Sequence, residues 1–160
     1  MDKTLPELRI ITGLKLIGMR KVMSFTHNTT FQLWNSFMPL KKDIGNFQGH
    51  GLYSVQLYPD SFFRNFDPLA EFEKWAAMEV ADFSNLPEGM ETLEIPAGRY
   101  TVFHYKGSHE NAQAFYSYIF QKWLPASGYT LDNRPHFEVM GEKYQHGSPD
   151  SEEEIWIPIQ

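Results

Sequence analysis

The sequence predicts an α+β fold with antiparallel strands, assembled from two similar halves. Three observations lead to it. The stretch from Arg134 to Gln160 alternates residue character with the period of two expected of strands. Two other stretches, one after Asn28 and one after Ser108, carry apolar residues at helical spacing. The order of these signals also recurs. Gly18-Met19-Arg20-Lys21-Val22 matches Gly98-Arg99-Tyr100-Thr101-Val102, Leu33-Trp34-x-x-Phe37 matches Phe115-Tyr116-x-x-Ile119, and Glu73-x-Trp75 matches Glu154-x-Trp156. Such internal symmetry predicts a strand–helix–strand–strand unit used twice within one domain, over about 8–84 and about 90–160. Both helices are expected on one face of the sheets and a groove on the other.

Taken in order, Leu8 to Phe25 reads as one long bent strand or two short ones, broken near Gly13 or Gly18. His27-Asn28-Thr29-Thr30 offers helix caps, and Phe31, Trp34, Phe37 and Met38 then form a helical stripe with Pro39 at or near its end. Leu52 to Tyr58 alternates as a strand, with Tyr53, Val55 and Leu57 facing one way and Ser54, Gln56 and Tyr58 the other. After a connection rich in Phe and Asp, Phe72 to Phe83 reads as a strand, with Trp75, Ala77 and Glu79 opposite Ala76, Met78 and Val80. Asn85-Leu86-Pro87-Glu88-Gly89 is a turn between the halves. Met90 to Tyr105 is a strand bent at Pro96-Ala97-Gly98. Ser108 caps a helix whose stripe is Ala112, Phe115, Tyr116, Ile119 and Trp123, with Glu110 near its positive end and Pro125 and Gly128 ending it. Two final strands follow, joined by a polar loop from His146 to Ser151.

Composition narrows the function. At 160 residues the chain is long enough to bury a core, and 42% of its residues are apolar. Aromatic residues reach 16%, with 13 Phe, 8 Tyr and 4 Trp, more than such a core needs, so some should line a concave surface. The net charge is −6 and the longest basic runs are Lys41-Lys42 and Arg20-Lys21, which argues against direct nucleic-acid binding. No cysteine is present, so disulfides, thiolate metal sites and thiol nucleophiles are excluded. Lys15, Arg20 and Lys21 interrupt the apolar stretch from Leu14 to Phe25, and no run approaches the roughly 20 apolar residues of a membrane-spanning helix. A cytoplasmic protein is expected, and no helix-turn-helix fits before Leu8.

The last two strands carry the candidate site. Alternation puts Phe137 and Val139 on one face and Glu138 and Met140 on the other, and it separates Ile155, Ile157 and Ile159 from Glu154, Trp156 and Pro158. With the aliphatic residues assigned to the helix side, the expected groove holds Glu138, Met140, Trp156 and Trp75, with Tyr58 and Gln56 on the other wall. A carboxylate set among large apolar groups is costly alone and recruits a cation. Trp34 and Trp123 are expected in the core. The histidines at 27, 50, 104, 109, 136 and 146 show no metal-ligand spacing, and phosphate loops and nucleophile elbows are absent, so no metal and no cofactor is expected.

Ile95-Pro96-Ala97-Gly98-Arg99-Tyr100, His104-Tyr105-Lys106-Gly107, the Trp123-containing helix, Arg134-Pro135-His136-Phe137-Glu138-Val139 and Glu154-Ile155-Trp156-Ile157-Pro158-Ile159 resemble the GyrI-like (gyrase-inhibitor-like) family. That family includes the effector-binding domains of AraC-type bacterial regulators. The resemblance implies the tandem, SHS2-like fold and a groove for small, cationic or planar aromatic drugs or toxins, engaged by an acidic residue at the position of Glu138. It also implies a choice of roles. A stand-alone member captures the small molecule, whereas some members hydrolyse cyclopropane-bearing genotoxins with that same glutamate, and a topoisomerase-inhibiting interaction is a third role. Met140 stands where many members have a tyrosine, a departure that bears on the hydrolytic chemistry.

Overall fold

The computed structural model describes residues 5–141 and 150–160, without the side chains of His50, His109 and Glu110. Its strands are β1 (Glu7–Ile11), β2 (Leu14–Ser24), β3 (Phe47–Leu57), β4 (Glu71–Val80), β5 (Glu91–Ile95), β6 (Gly98–Lys106), β7 (His136–Met140) and β8 (Glu152–Ile159). Helix α1 (Thr30–Phe37) lies between β2 and β3. Helix α2 (His109–Tyr118) follows β6 and continues through a π-helical turn, Ile119–Trp123, into α3 (Leu124–Ser127). The fold is therefore α+β with antiparallel strands. Most of the loop expected over His146–Ser151 lies outside the described residues.

All strands join one eight-stranded sheet in the order β1-β6-β8-β7-β3-β4-β2-β5. The long first strand is two strands, parted at Gly13, whose φ of +119° suits glycine. That break lets β1 leave its own half and pair with β6, while β5 pairs with β2. Each half thus lends its first short strand to the edge of the other.

Cross-strand partners share a face, so the register fixes what lies where. Ala76 is opposite Ser54, Ser54 opposite Glu138, and Glu138 opposite Ile155. Ala76 belongs to the cluster packed by Leu33 and Phe37 of α1, and Ile155 to the cluster packed by Phe115 of α2. Both helices therefore cover the same face. The opposite face has no helix, yet its Leu16, Val55, Trp75, Tyr100, Phe137 and Trp156 are all buried. This third cluster includes Ile95 near one edge of the sheet and Ile11 near the other, so the sheet curls to bury that face against itself.

One strand approach demands glycine. A Cβ at Gly18 would stand 2.1 Å from the Ala76 carbonyl oxygen, so β2 approaches β4 as only glycine allows. The stripe of α1 also differs from expectation. Leu33 and Phe37 point inward, while Phe31 is 70% exposed. Ser108 stands at the N-cap of α2 without a side-chain capping bond.

Candidate functional site

The helix face of the two central strands is where the side chains become polar. Under α1, β4 presents Phe72, Ala76, Met78 and Val80. Lys74 has the same parity and interrupts that apolar row. Next to it β3 presents Ser54 and Gln56, both buried, then β7 presents His136 and Glu138, and β8 presents Glu153. This floor forms the strip of sheet, termed the cleft, between α1, packed over β2 and β4, and α2, packed over β6 and β8.

Glu138 is half-buried and held from two sides. Gln56 Nε2 donates to its Oε2 at 3.0 Å, and the Tyr116 hydroxyl of α2 donates to Oε1. A carboxylate has about four lone-pair sites, so these donors orient it and leave acceptor capacity free. The hydroxyls of Tyr116 and Tyr58 remain protonated donors. Burial is the main cause in both, and the Glu138 charge adds to it. Glu153 is pushed up to about 7, by burial first and then by Glu138, with Lys74 opposing. Burial lowers the pKa of Lys74 while Glu138 and Glu153 pull it back up.

One end of the cleft is closed by rings. Phe63, from the β3–β4 connection, stacks on Phe120 at 4.9 Å and 13°, and on His136 at 5.5 Å. Tyr58 meets His136 edge-on at 4.9 Å. Phe120 sits in the π-helical turn. Pro125 has no N–H to return to the Gln121 carbonyl four residues back, so the helix widens just before it. Among these rings the His136 imidazole is depressed to about 3 by burial, and it stays neutral.

The faces of β7 differ from expectation. Phe137 and Val139 point away from the helices, and Phe137 stacks on Trp156 at 5.0 Å and 19°. Of the expected groove residues, Glu138, Met140, Tyr58 and Gln56 share the helix face. Trp75 and Trp156 are on the opposite one, 3% and 8% exposed. Their indole N–H groups make the same local bond in each half, Trp75 to Glu73 at 2.6 Å and Trp156 to Glu154 at 3.1 Å. Those two tryptophans are not brought to Glu138. The reason is that both faces of the sheet are buried, so an apolar face need not be the helix face. Sequence reasoning missed Lys74, Glu153, Tyr116, Phe63 and Phe120. A lysine in step with Phe72, Ala76, Met78 and Val80 was the available signal for the first.

A separate recess of about 440 Å³ opens beside the β1–β2 turn, lined by Lys15, Glu79 and Glu94 among others. Lys15 and Glu94 are cross-strand partners there. Among the described residues, no group of three or more His, Asp or Glu is placed to hold a metal ion, and no helix is long and apolar enough to cross a membrane.

The GyrI-like small molecule binding domain family matches residues 5–160. The chain belongs to the GyrI-like family. Transcriptional regulator BrlR of Pseudomonas aeruginosa is 28% identical over 156 residues, which cover 92% of this chain and 52% of that protein. The chain thus spans about half the length of the curated relative it matches. Among solved structures, SAV2435 bound to tetraphenylphosphonium superposes with a TM-score of 0.73 at 14% identity, covering 98% of this chain and 94% of that one. The EcmrR C-terminal domain gives 0.69 at 16% identity, covering 97% and 96%. These likenesses at low identity show that the GyrI-like fold extends over the whole sheet described above.

Proposed function

We propose that this GyrI-like chain captures a small molecule with a positively charged, planar aromatic part in the cleft between α1 and α2, and does so in the cytoplasm. The observation that carries this reading is the Glu138 carboxylate, oriented by Gln56 and Tyr116 and set beside Tyr58, Phe63, Phe120 and His136. The carboxylate supplies charge and the rings supply flat apolar surface, the combination that holds an aromatic cation out of water. SAV2435 binds tetraphenylphosphonium on the same fold, which makes that ion a suitable first probe.

A ligand at 100 times its dissociation constant stabilises the folded state by about 2.7 kcal/mol. A thermal-shift titration with tetraphenylphosphonium should therefore raise the melting temperature. Glu138→Gln, which keeps size and removes charge, should weaken binding by about 1.5–3 kcal/mol, the scale of a charge-assisted contact. No shift with any aromatic cation, or equal shifts in wild type and variant, would reject the proposal. With a net charge of −6, no salt-dependent affinity for duplex DNA is expected of this chain.

A further inference from the structure

The cleft floor is not uniformly acidic. Across four adjacent strands the helix face runs Lys74 on β4, Gln56 and Ser54 on β3, Glu138 on β7 and Glu153 on β8. Lys74 is opposite Gln56 in register, and Gln56 gives its Nε2 to Glu138. The amide thus stands between the two charges. Among the described residues no carboxylate oxygen comes within 4.0 Å of the Lys74 ammonium. Its surroundings are nevertheless desolvating, and both cleft carboxylates act on it through space. A half-buried lysine without an ion pair, facing the same cleft as Glu138, lacks the partner such a charge needs.

We infer that Lys74 is the specificity-determining residue of this site, and that the preferred ligand is zwitterionic: a planar aromatic compound with a positive group for Glu138 and a carboxylate for Lys74. The inference rests on the cation-binding reading above and narrows its ligand class. The geometry suits such a molecule. Lys74 and Glu138 stand on strands two spacings apart, about 10 Å between backbones, roughly the width of a fused ring system. Tyr58, Phe63 and Phe120 give the rings a wall to lie against. A lipophilic cation without an anion would leave Lys74 unpaired and would be repelled by it, which selects against that competitor.

The test uses rhodamine B and its ethyl ester, which share one cationic ring system, only the former carrying a free carboxylate. Fluorescence anisotropy should show wild type binding rhodamine B at least about tenfold more tightly than the ester, as a charge-assisted contact provides. Lys74→Met should abolish that preference and bind tetraphenylphosphonium more tightly than wild type does. Lys74→Arg should keep the preference. Thermal melts of each variant verify folding, and Lys74→Met removes a desolvated charge without emptying the site. Equal wild-type affinity for the two dyes, or a preference that survives Lys74→Met, overturns the inference. Binding of tetraphenylphosphonium but of neither dye overturns it while leaving the cation reading intact. Failure to bind any of the three overturns both.

Discussion

Replacing His136 with phenylalanine should change the acid stability of the protein in a direction opposite to replacing Glu153 with glutamine. His136 is buried, and its pKa falls from 6.5 to about 3. For a base depressed in this way, the unfolded state binds more protons below pH 6.5, so stability is lost as pH falls from 6.5 toward 3. Between pH 7 and pH 4 that loss is about 3 kcal/mol. Glu153 works the other way. Its pKa rises from 4.5 to about 7, so the folded state holds the proton more tightly and stability is lost as pH rises from 4.5 to 7. The corresponding change is about 2 kcal/mol after allowance for partial exposure. The two slopes oppose each other and cancel only in part in the wild type. Urea unfolding followed by tryptophan fluorescence at pH 4, 5.5 and 7 separates them. Relative to wild type, His136→Phe should gain about 3 kcal/mol on going from pH 7 to pH 4, and Glu153→Gln should lose about 2. Difference curves flat with pH for both variants would refute the buried placement of these two groups.

Two further predictions concern the frame that holds the cleft. Gly18→Ala forces a Cβ to 2.1 Å from a backbone oxygen, so it should cost at least about 3 kcal/mol in urea unfolding, the upper end of overpacking penalties. Arg134 donates to the Arg99 and Ile159 carbonyls at 2.6 and 2.9 Å and to Asp132 at 2.6 Å, with its guanidinium 4.7 Å over the Tyr100 ring. Arg134→Met should lower stability by about 3 kcal/mol or more in thermal melts. Arg134→Lys should recover less than half of that, because a lysine cannot make the forked contacts.

Much of the fold was legible because its determinants are local. Gly128 closes the second helical segment, though the helix runs through Pro125 rather than ending there, Pro96-Ala97 breaks β5 from β6, and β4 alternates Trp75 and Ala77 against Ala76 and Met78 as read from sequence. The motifs behind the family resemblance are largely structural. A Cβ on Gly98 would meet the Arg134 guanidinium at 2.3 Å, and Tyr100 donates to the Pro135 carbonyl at 2.8 Å, so Gly98-Arg99-Tyr100 and Arg134-Pro135 form one joint. The site was less legible because its faces depend on long-range register. Alternation shows that Phe137 and Glu138 point opposite ways but not which of them meets the helices. That is decided by Glu138 pairing with Ile155 and Phe137 with Trp156, a match between two strands separated in sequence. Curling of the sheet then buries Trp75 and Trp156 on a face that has no helix. Lys74 comes from β4, and Tyr116 and Phe120 from one continuous helical segment, and only the assembled sheet sets them around Glu138.

The location of the bound ligand tests the central claim most directly. A crystal structure of the chain soaked with tetraphenylphosphonium should show the ion between α1 and α2, with its charged centre toward Glu138 and its rings against Tyr58, Phe63 or Phe120. Density on the other face, over Trp75 and Trp156, would contradict the account.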